Sequence, residues 1–525
     1  MENSKCSHPD CELEVYENHD KCVLHCKKND YSTDFNSGLL NKFYQELKKS
    51  IIVDLTKNQK NLQDAFFQEM IYDIENDDFS NIDKENKYFF LSCYIIFPDR
   101  DSRDNFDYLK LLNIYSKIHF KYCEFHTSHI DLNSTKCFFQ NCKFHKYWTL
   151  FDYNILTNMD NIIYQACIFY EDISPYSSEI IGEEVLYTNS QFDYTCRFEK
   201  ELRFDNVKFK KPLFYSAQNN YLNNKNYVKV LTFNNCTFEQ PFRLNNYQID
   251  YFTCNDTVFK NKSKFEFKKN KVEYFLISNT NFKALVDCYN TTFEKFYIEK
   301  SIFEKFTGFE KCKFGENHKN NLAIFQYATF LDFINFRDAV FYNGLDLRNA
   351  NLKEYPNFLG VKIEPTIIHK KTDKETFRII KYSFDKVGNT IEANKFFAYE
   401  MDKERKSISL WHEADKKIIL TFNYLVSNFG QSFLLPLFWI FVVAGIHYYI
   451  ADVKHEWLHP FAPTDLDTKR KLLEIIQGFD NFAKNILPFK KFLQEGMEFI
   501  SLIFLIIYST LIYNFVIAVK RITKR

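Results

Sequence analysis

Residues 277–314 read ISNTNFKALVDCYNTTFEKFYIEKSIFEKFTGFEKCKF and hold four copies of one hexamer. Its form is a large apolar residue, two variable positions, a small or thiol residue, one variable position and a second large apolar residue. The closing residues Phe282, Phe293, Phe303 and Phe314 step by 11, 10 and 11. An amphipathic helix places apolar residues three and four apart and a strand alternates by two, so neither template fits. Large residues five apart, with a small one two before the second, describe a chain that turns a corner every five residues. Steps near ten and near twenty are then half and whole turns of a coil. The large residue fills the axis, and the small one tucks beneath it where stacked coils leave little room.

Outward from this stretch the hexamer recurs as FKYCEF from Phe120, FQNCKF from Phe139, YQACIF from Tyr164, YTNSQF from Tyr187, FDNVKF from Phe204, FNNCTF from Phe233 and CNDTVF from Cys254. Beyond it come FQYATF from Phe325, FRDAVF from Phe336 and LRNANL from Leu347, fourteen copies in all. The expected axial residues are Phe125, Phe144, Phe169, Phe209, Phe238, Phe259, Phe282, Phe293, Phe303, Phe314, Phe330, Phe341 and Leu352. FLSCYI from Phe90 reads as a degenerate first coil.

DNVKF, NNCTF, RDAVF and RNANL resemble the pentapeptide-repeat family, whose motif is small, Asp or Asn, Leu or Phe, then two variable positions. The resemblance implies a right-handed quadrilateral β-helix over residues 120–359. Phe replaces Leu at most centres here, Cys or Thr often replaces Ala, and inserts at 172–184 and 219–226 interrupt the coils. Loops bulging from a stack with a wider axis are expected. TFRIIKYSFDKVGNTIEANKFFAYEMDKER at 376–405, SNFGQSFLLPL from Ser427 and NILPF from Asn485 are similar to the helical connector and two spans of the bacterial membrane-anchored type of this family.

In 525 residues Phe occurs 59 times and Tyr 34, against 11 Gly and 11 Pro, which excludes collagen-like and disordered chains. No GxGxxG, GxxxxGK[ST] or GxSxG occurs, so the commonest nucleotide and hydrolase signatures are missing. Lys+Arg and Asp+Glu both number 68, which provides no basic stripe, and no nucleic-acid partner is expected. All 14 cysteines lie between Cys6 and Cys312, in keeping with free thiols in a reducing compartment acting as small apolar fillers. Residues 1–30 are polar with no apolar h-region, so a secretory signal is not expected and the amino-terminal part is placed in the cytosol.

Residues 433–451 read FLLPLFWIFVVAGIHYYIA and 499–519 read FISLIFLIIYSTLIYNFVIAV. Each is long enough for a bilayer core of about 30 Å. Lys403, Arg405, Lys406, Lys416 and Lys417 precede the first, and Lys520, Arg521, Lys524 and Arg525 follow the second. The positive-inside rule then puts both termini in the cytoplasm of a two-span inner-membrane protein. Ser501, Ser509, Thr510, Tyr513 and Asn514 suggest a polar stripe on the second span, facing partner copies in a homo-oligomer or the water of a pore.

Cys6, Cys11, Cys22 and His25 fall as C-x4-C-x10-C-x2-H, with Cys26, His8 and His19 beside them. Two close pairs of soft ligands on so short a segment suit a structural Zn²⁺. Phe43, Leu47, Ile51, Met70 and Ile74 have helical spacing and predict helices that cap the open end of the solenoid. His455, Glu456 and His459 form HEWLH, a formal HExxH with Glu474 as a third ligand, yet Pro460 pushes His459 out of helical geometry where that motif needs a helix.

The expected fold is mainly β: a zinc knuckle over 1–30, a helical cap over 31–89, the β-helix over 90–360, a helical connector over 361–425, and a transmembrane hairpin over 426–525 with an extracytoplasmic loop at 452–498. The expected function is non-enzymatic. The β-helix recognises an unidentified protein partner, and the spans, bathed in membrane lipid, act as an anchor or an oligomeric output. A pore-forming effector of ion-channel, stress or defence type and a zinc metallopeptidase are the alternatives.

Overall fold

The computed structural model describes residues 5–58, 65–80, 89–149, 163–174, 185–187, 192–215, 226–363, 371–456, 474 and 498–523, except for positions 10, 102, 129, 131–135, 194, 318–320, 410 and 412. It divides into two compact units. One comprises Met1–Gly344, Asn349–Glu354 and Leu359–Glu364; the other comprises Leu345–Arg348, Tyr355–Phe358 and Pro365–Arg525.

The first unit is a parallel β-solenoid of about eight turns, with sheets of 6, 16, 8 and 5 strands among the described residues. Half-turn steps appear directly in the register: Phe282 lies opposite Phe303 in one sheet, and Phe293 opposite Phe314 in another. Rings at equivalent positions stack. From Phe209 through Phe238, Phe259, Phe282 and Phe303 to Phe330 the centroid spacings are 4.5, 4.6, 4.8, 4.8 and 4.7 Å, and Leu352 follows Phe330 in register. A second column runs Phe97, Phe125, Phe144, Phe169 and Phe198 at 5.0, 5.1, 4.6 and 5.3 Å. Apart from half-buried Leu352, every expected axial residue is buried.

The third hexamer position, read as variable in the sequence, is where the chain turns. Tyr94, Tyr122, Asn141, Ala166, Asn206, Asn235, Asp256, Asn279, Asn290, Lys300, Lys311, Tyr327 and Asp338 all have φ between 45° and 60°. Asn and Asp tolerate this left-handed conformation best among residues with a side chain, which accounts for their frequency there. The same signature exposes copies that the spacing alone missed: LNNYQI from Leu244, FKKNKV from Phe267 and FLGVKI from Phe358, turning at Asn246, Lys269 and Gly360. It also corrects the first coil, which is SCYIIF from Ser92, two residues later than expected, since Ser92 pairs with Phe120 and Phe97 with Phe125. YTNSQF is corrected too. Tyr187 pairs with Phe209 and Phe192 with Tyr164 in different sheets, so the motif of that coil is FDYTCRF, residues 192–198. Positions 188–190 and most of the inserts at 172–184 and 219–226 lie outside the described residues.

The fourth position does more than fill space. Cys142 Sγ donates to Phe120 O at 3.3 Å, Cys236 Sγ to Phe204 O at 3.4 Å and Thr280 Oγ1 to Cys254 O at 3.2 Å, each acceptor being the first residue of the hexamer one coil below. A buried carbonyl there needs a donor, which Cys, Thr and Ser supply and Ala does not. Between Arg197 and Glu299 strands of 8 and 9 residues replace the short faces of a strict four-sided coil. In Tyr247–Asn255 the buried positions change phase between Ile249 and Phe252, so a corner is carried inside a continuous strand.

The amino-terminal helices are α1 (Tyr31–Asn36), α2 (Leu39–Asn58) and α3 (Ala65–Glu75), and a short α4 (Tyr108–Leu112) is inserted after the first coil. The Phe43 ring of α2 lies 6.0 Å from Phe97 and 5.8 Å from Tyr108, which places α2 and α4 over the start of the axial column.

The second unit contains α5 (Lys374–Lys386), α6 (Thr390–Ser407), α7 (Ala414–Ser427), α8 (Leu434–Glu456) and α9 (Glu498–Thr523). Asp373 and Asn389 cap α5 and α6 by accepting from Glu375 N and Glu392 N, and Gly388 breaks the pair at φ +75°. Within α9, Leu502–Thr523 is long and apolar enough to cross a membrane, with a mean hydropathy of 2.3 over its most apolar 18 residues, whereas the apolar part of α8, Leu434–Tyr449, is shorter. Ala444 of α8 clusters with Phe504 and Tyr508 of α9.

Candidate metal centre

The first thirty residues fold around the four predicted ligands. A bridge between Lys5 and Glu14 and the bond from Cys6 N to Leu13 O close one loop, and the turn at Cys22 closes the second through His25 N and Cys26 N, both on Cys22 O. These turns bring one donor atom from each of Cys6, Cys11, Cys22 and His25 within 4.8 Å of the others, a group that could hold a metal ion. The measured edges are Cys11 Sγ to Cys22 Sγ at 3.7 Å, Cys6 Sγ to His25 Nδ1 at 3.6 Å and Cys22 Sγ to His25 Nδ1 at 3.3 Å. A tetrahedral ion with Zn–S about 2.3 Å and Zn–N about 2.05 Å has edges of about 3.8 and 3.6 Å, so the donor set fits.

Burial pulls His25 down to about 4 and pushes the Cys22 thiol up to about 12. The imidazole is therefore neutral and ready to ligate, and the thiol carries a proton that a metal must displace. The neighbours do not compete. Cys26 Sγ turns to Val23 O, His8 Nδ1 lies 2.8 Å from Pro9 O, and the ring of His19 stacks on Tyr16. Sequence reasoning missed Lys28. It is buried, its Nζ donates to Val23 O at 2.8 Å and Cys26 O at 2.9 Å, and burial holds its amine near 8. Lys28 clamps the turn that bears His25, a role that no spacing rule signals. In the same turn Leu24 O accepts from Ile96 N at 2.9 Å, so the turn that bears His25 pairs with Ile96–Phe97, the second strand of the solenoid.

A second donor group joins Glu124, His126 and His145 on adjacent coils. Its carboxylate is already occupied, with Lys143 Nζ and His145 Nε2 each 2.9 Å away, and the two imidazoles stack face to face at 4.5 Å. These side chains form a rung of the surface ladder.

The predicted stripe on α9 is split between faces. Asn514 is buried with Ser427 Oγ 3.4 Å from its Oδ1, Thr510 returns its hydroxyl to Ile506 O, and Tyr513 is 65% exposed with Ser509 a turn away. The side chain of Ser501 lies outside the described residues. So do the side chains of His455 and Glu456, whose backbone ends α8, and all of His459. No family model, curated protein or solved structure matches the chain.

Proposed function

We propose that the protein is a non-enzymatic, membrane-anchored recognition scaffold. Its amino-terminal centre holds a structural Zn²⁺, its solenoid is a quadrilateral β-helix of the pentapeptide-repeat type that meets a protein partner, and α8 and α9 form a two-span hairpin with both termini cytoplasmic. The observation that carries the reading is the attachment of a stiff, aromatic-stacked solenoid to an apolar helix of mean hydropathy 2.3. Carboxylates on the solenoid face cations of neighbouring coils, as Glu239 does with Lys210 and Lys260, which gives a mixed-charge surface suited to protein recognition. A homo-oligomeric pore is the second reading, favoured by Ser509 and Tyr513 together on the exposed face of α9.

The test is the mass of the detergent-solubilised protein, with dye leakage from vesicles that contain it, repeated for Ser509→Leu combined with Tyr513→Phe. A monomer or dimer in tight vesicles supports the anchored scaffold. A ring of subunits whose leakage the substitutions abolish selects the pore, and recovery of the protein in the soluble fraction overturns both.

A further inference from the structure

Helix α7 presents Ile418, Ile419, Phe422 and Leu425 at 62, 59, 43 and 53% exposure, an apolar face too large to stand in water without a covering. Its cations are already satisfied at the opposite end and side. Lys416 Nζ lies 2.6 Å from Glu404 Oε1, Lys417 Nζ donates to the carbonyls of Arg405 and Ile408, and the Arg405 guanidinium covers Tyr424 at 4.3 Å. The last turn of α7 packs sideways on the hairpin. Val426 clusters with Ile440 of α8 and Leu511 of α9, and Trp439 Nε1 donates to Leu425 O at 3.1 Å.

These contacts fix a depth. Arg521, which donates to Phe429 O, marks the charged end of α9. Leu511 lies ten residues before it, about 15 Å along the helix axis and thus about half a hydrocarbon core of 30 Å. We propose that α7 is a membrane-embedded helix that descends obliquely into the leaflet on the Arg521 side, its exposed apolar face covered by lipid acyl chains. This rests on the reading of α9 as a span. The face continues the exposed apolar surface of α8, where Leu434 and Phe438 stand 61 and 56% exposed. The chain that follows Glu456 begins at the other end of α8, about 35 Å away, and so does not start near this face. Because its cations are paired within the protein, α7 is held by apolar burial and needs no anionic headgroup.

The full chain is placed in phosphatidylcholine nanodiscs with p-benzoylphenylalanine introduced singly as Phe422→p-benzoylphenylalanine, Leu425→p-benzoylphenylalanine, Phe438→p-benzoylphenylalanine or Asp415→p-benzoylphenylalanine, irradiated, and weighed by mass spectrometry. Lipid adducts at 422, 425 and 438 with at least tenfold less at 415 are expected. An adduct at 438 without adducts at 422 and 425 overturns the inference while leaving the span intact, and a chain-to-chain adduct at 422 overturns it in favour of a second copy. Absence of lipid at 438 as well removes the membrane reading itself.

Discussion

Phe259→Ala tests whether the axial stack behaves as a column of nearest neighbours. The Phe259 ring is fully buried, stacked at 4.6 Å on Phe238 and 4.8 Å on Phe282, with Phe265 edge-on at 5.3 Å. Truncating a core Phe to Ala costs about 3–5 kcal/mol. The two parallel contacts supply roughly 0.5–1.5 kcal/mol each of that. Phe259→Leu keeps most of the volume and loses mainly the stacking, which predicts about 1–3 kcal/mol. At about 1.4 kcal/mol per decade, the Ala variant should speed amide exchange by roughly two to three orders of magnitude. In a solenoid each coil contacts only its neighbours, so the effect belongs to Thr237–Phe238, Val258–Phe259 and Asn281–Phe282. The assay is hydrogen exchange read by mass spectrometry on the intact chain in detergent. A loss under tenfold, or one spread evenly from Ile96 to Ile363, refutes the column.

Three further outcomes follow from the geometry. Cys22→Ser, or chelation of the wild type, should remove one bound zinc by elemental analysis and also release the Ile96 amide, whose acceptor is Leu24 O at 2.9 Å, by roughly tenfold or more in exchange rate. Asn279→Val places a β-branched residue at φ 48° and should cost about 1–2 kcal/mol in urea unfolding, whereas Asn279→Gly should change little. The hydrogen bond from His145, aided by Lys143, holds the Glu124 carboxyl down at about 2. A depressed carboxylate stabilises the fold above its ordinary range near 4.5, and that stability disappears as pH falls through about 2. Glu124→Gln should therefore lower the urea midpoint at pH 7 and make progressively less difference as pH falls towards 2.

Hexamer spacing made the half-turn geometry legible because size at the first and sixth positions is dictated by an axis that admits only large side chains. Eight of the fifteen corner residues with a side chain are Asn or Asp, among them Asn141, Asn206 and Asn279. That signal was present in the sequence, but a backbone requirement is read less easily than a packing one, since Tyr122 and Lys300 meet it too. The gathering of Cys6, Cys11, Cys22 and His25 into one group that could hold a metal ion was legible from spacing alone. Lys28 and Leu24 were not, because a buried amine clamp and a main-chain acceptor leave no periodic trace. The stripe on α9 divides between faces because Asn514 and Tyr513 are adjacent in sequence yet about 100° apart around a helix, and Asn514 turns towards Ser427.

The amino-terminal centre makes most sense as part of a problem common to stacked parallel strands, whose terminal coils expose main-chain donors and acceptors that invite another chain to pair. At the first coil Ile96 N finds Leu24 O, and that carbonyl sits in a turn that Lys28 clamps and that carries Cys22 and His25, two of the four donors able to hold a metal ion. In the second unit the Leu345 and Leu347 amides meet the hydroxyls of Thr372 and Thr376 at 3.2 and 2.9 Å, so strand donors there are also taken by side chains of the following segment. A first coil so covered is disfavoured from pairing with another chain, and the flank of the solenoid remains exposed. There exposed Tyr94 and Tyr122 stack at 5.0 Å, and pairs such as Lys143 with Glu124 are repeated coil after coil. Such rungs, spaced by the strand separation of about 4.8 Å, match the repeat of an extended chain poorly and a folded surface of mixed charge well. Under the proposed scaffold reading, that favours a folded protein over a linear polymer as the partner.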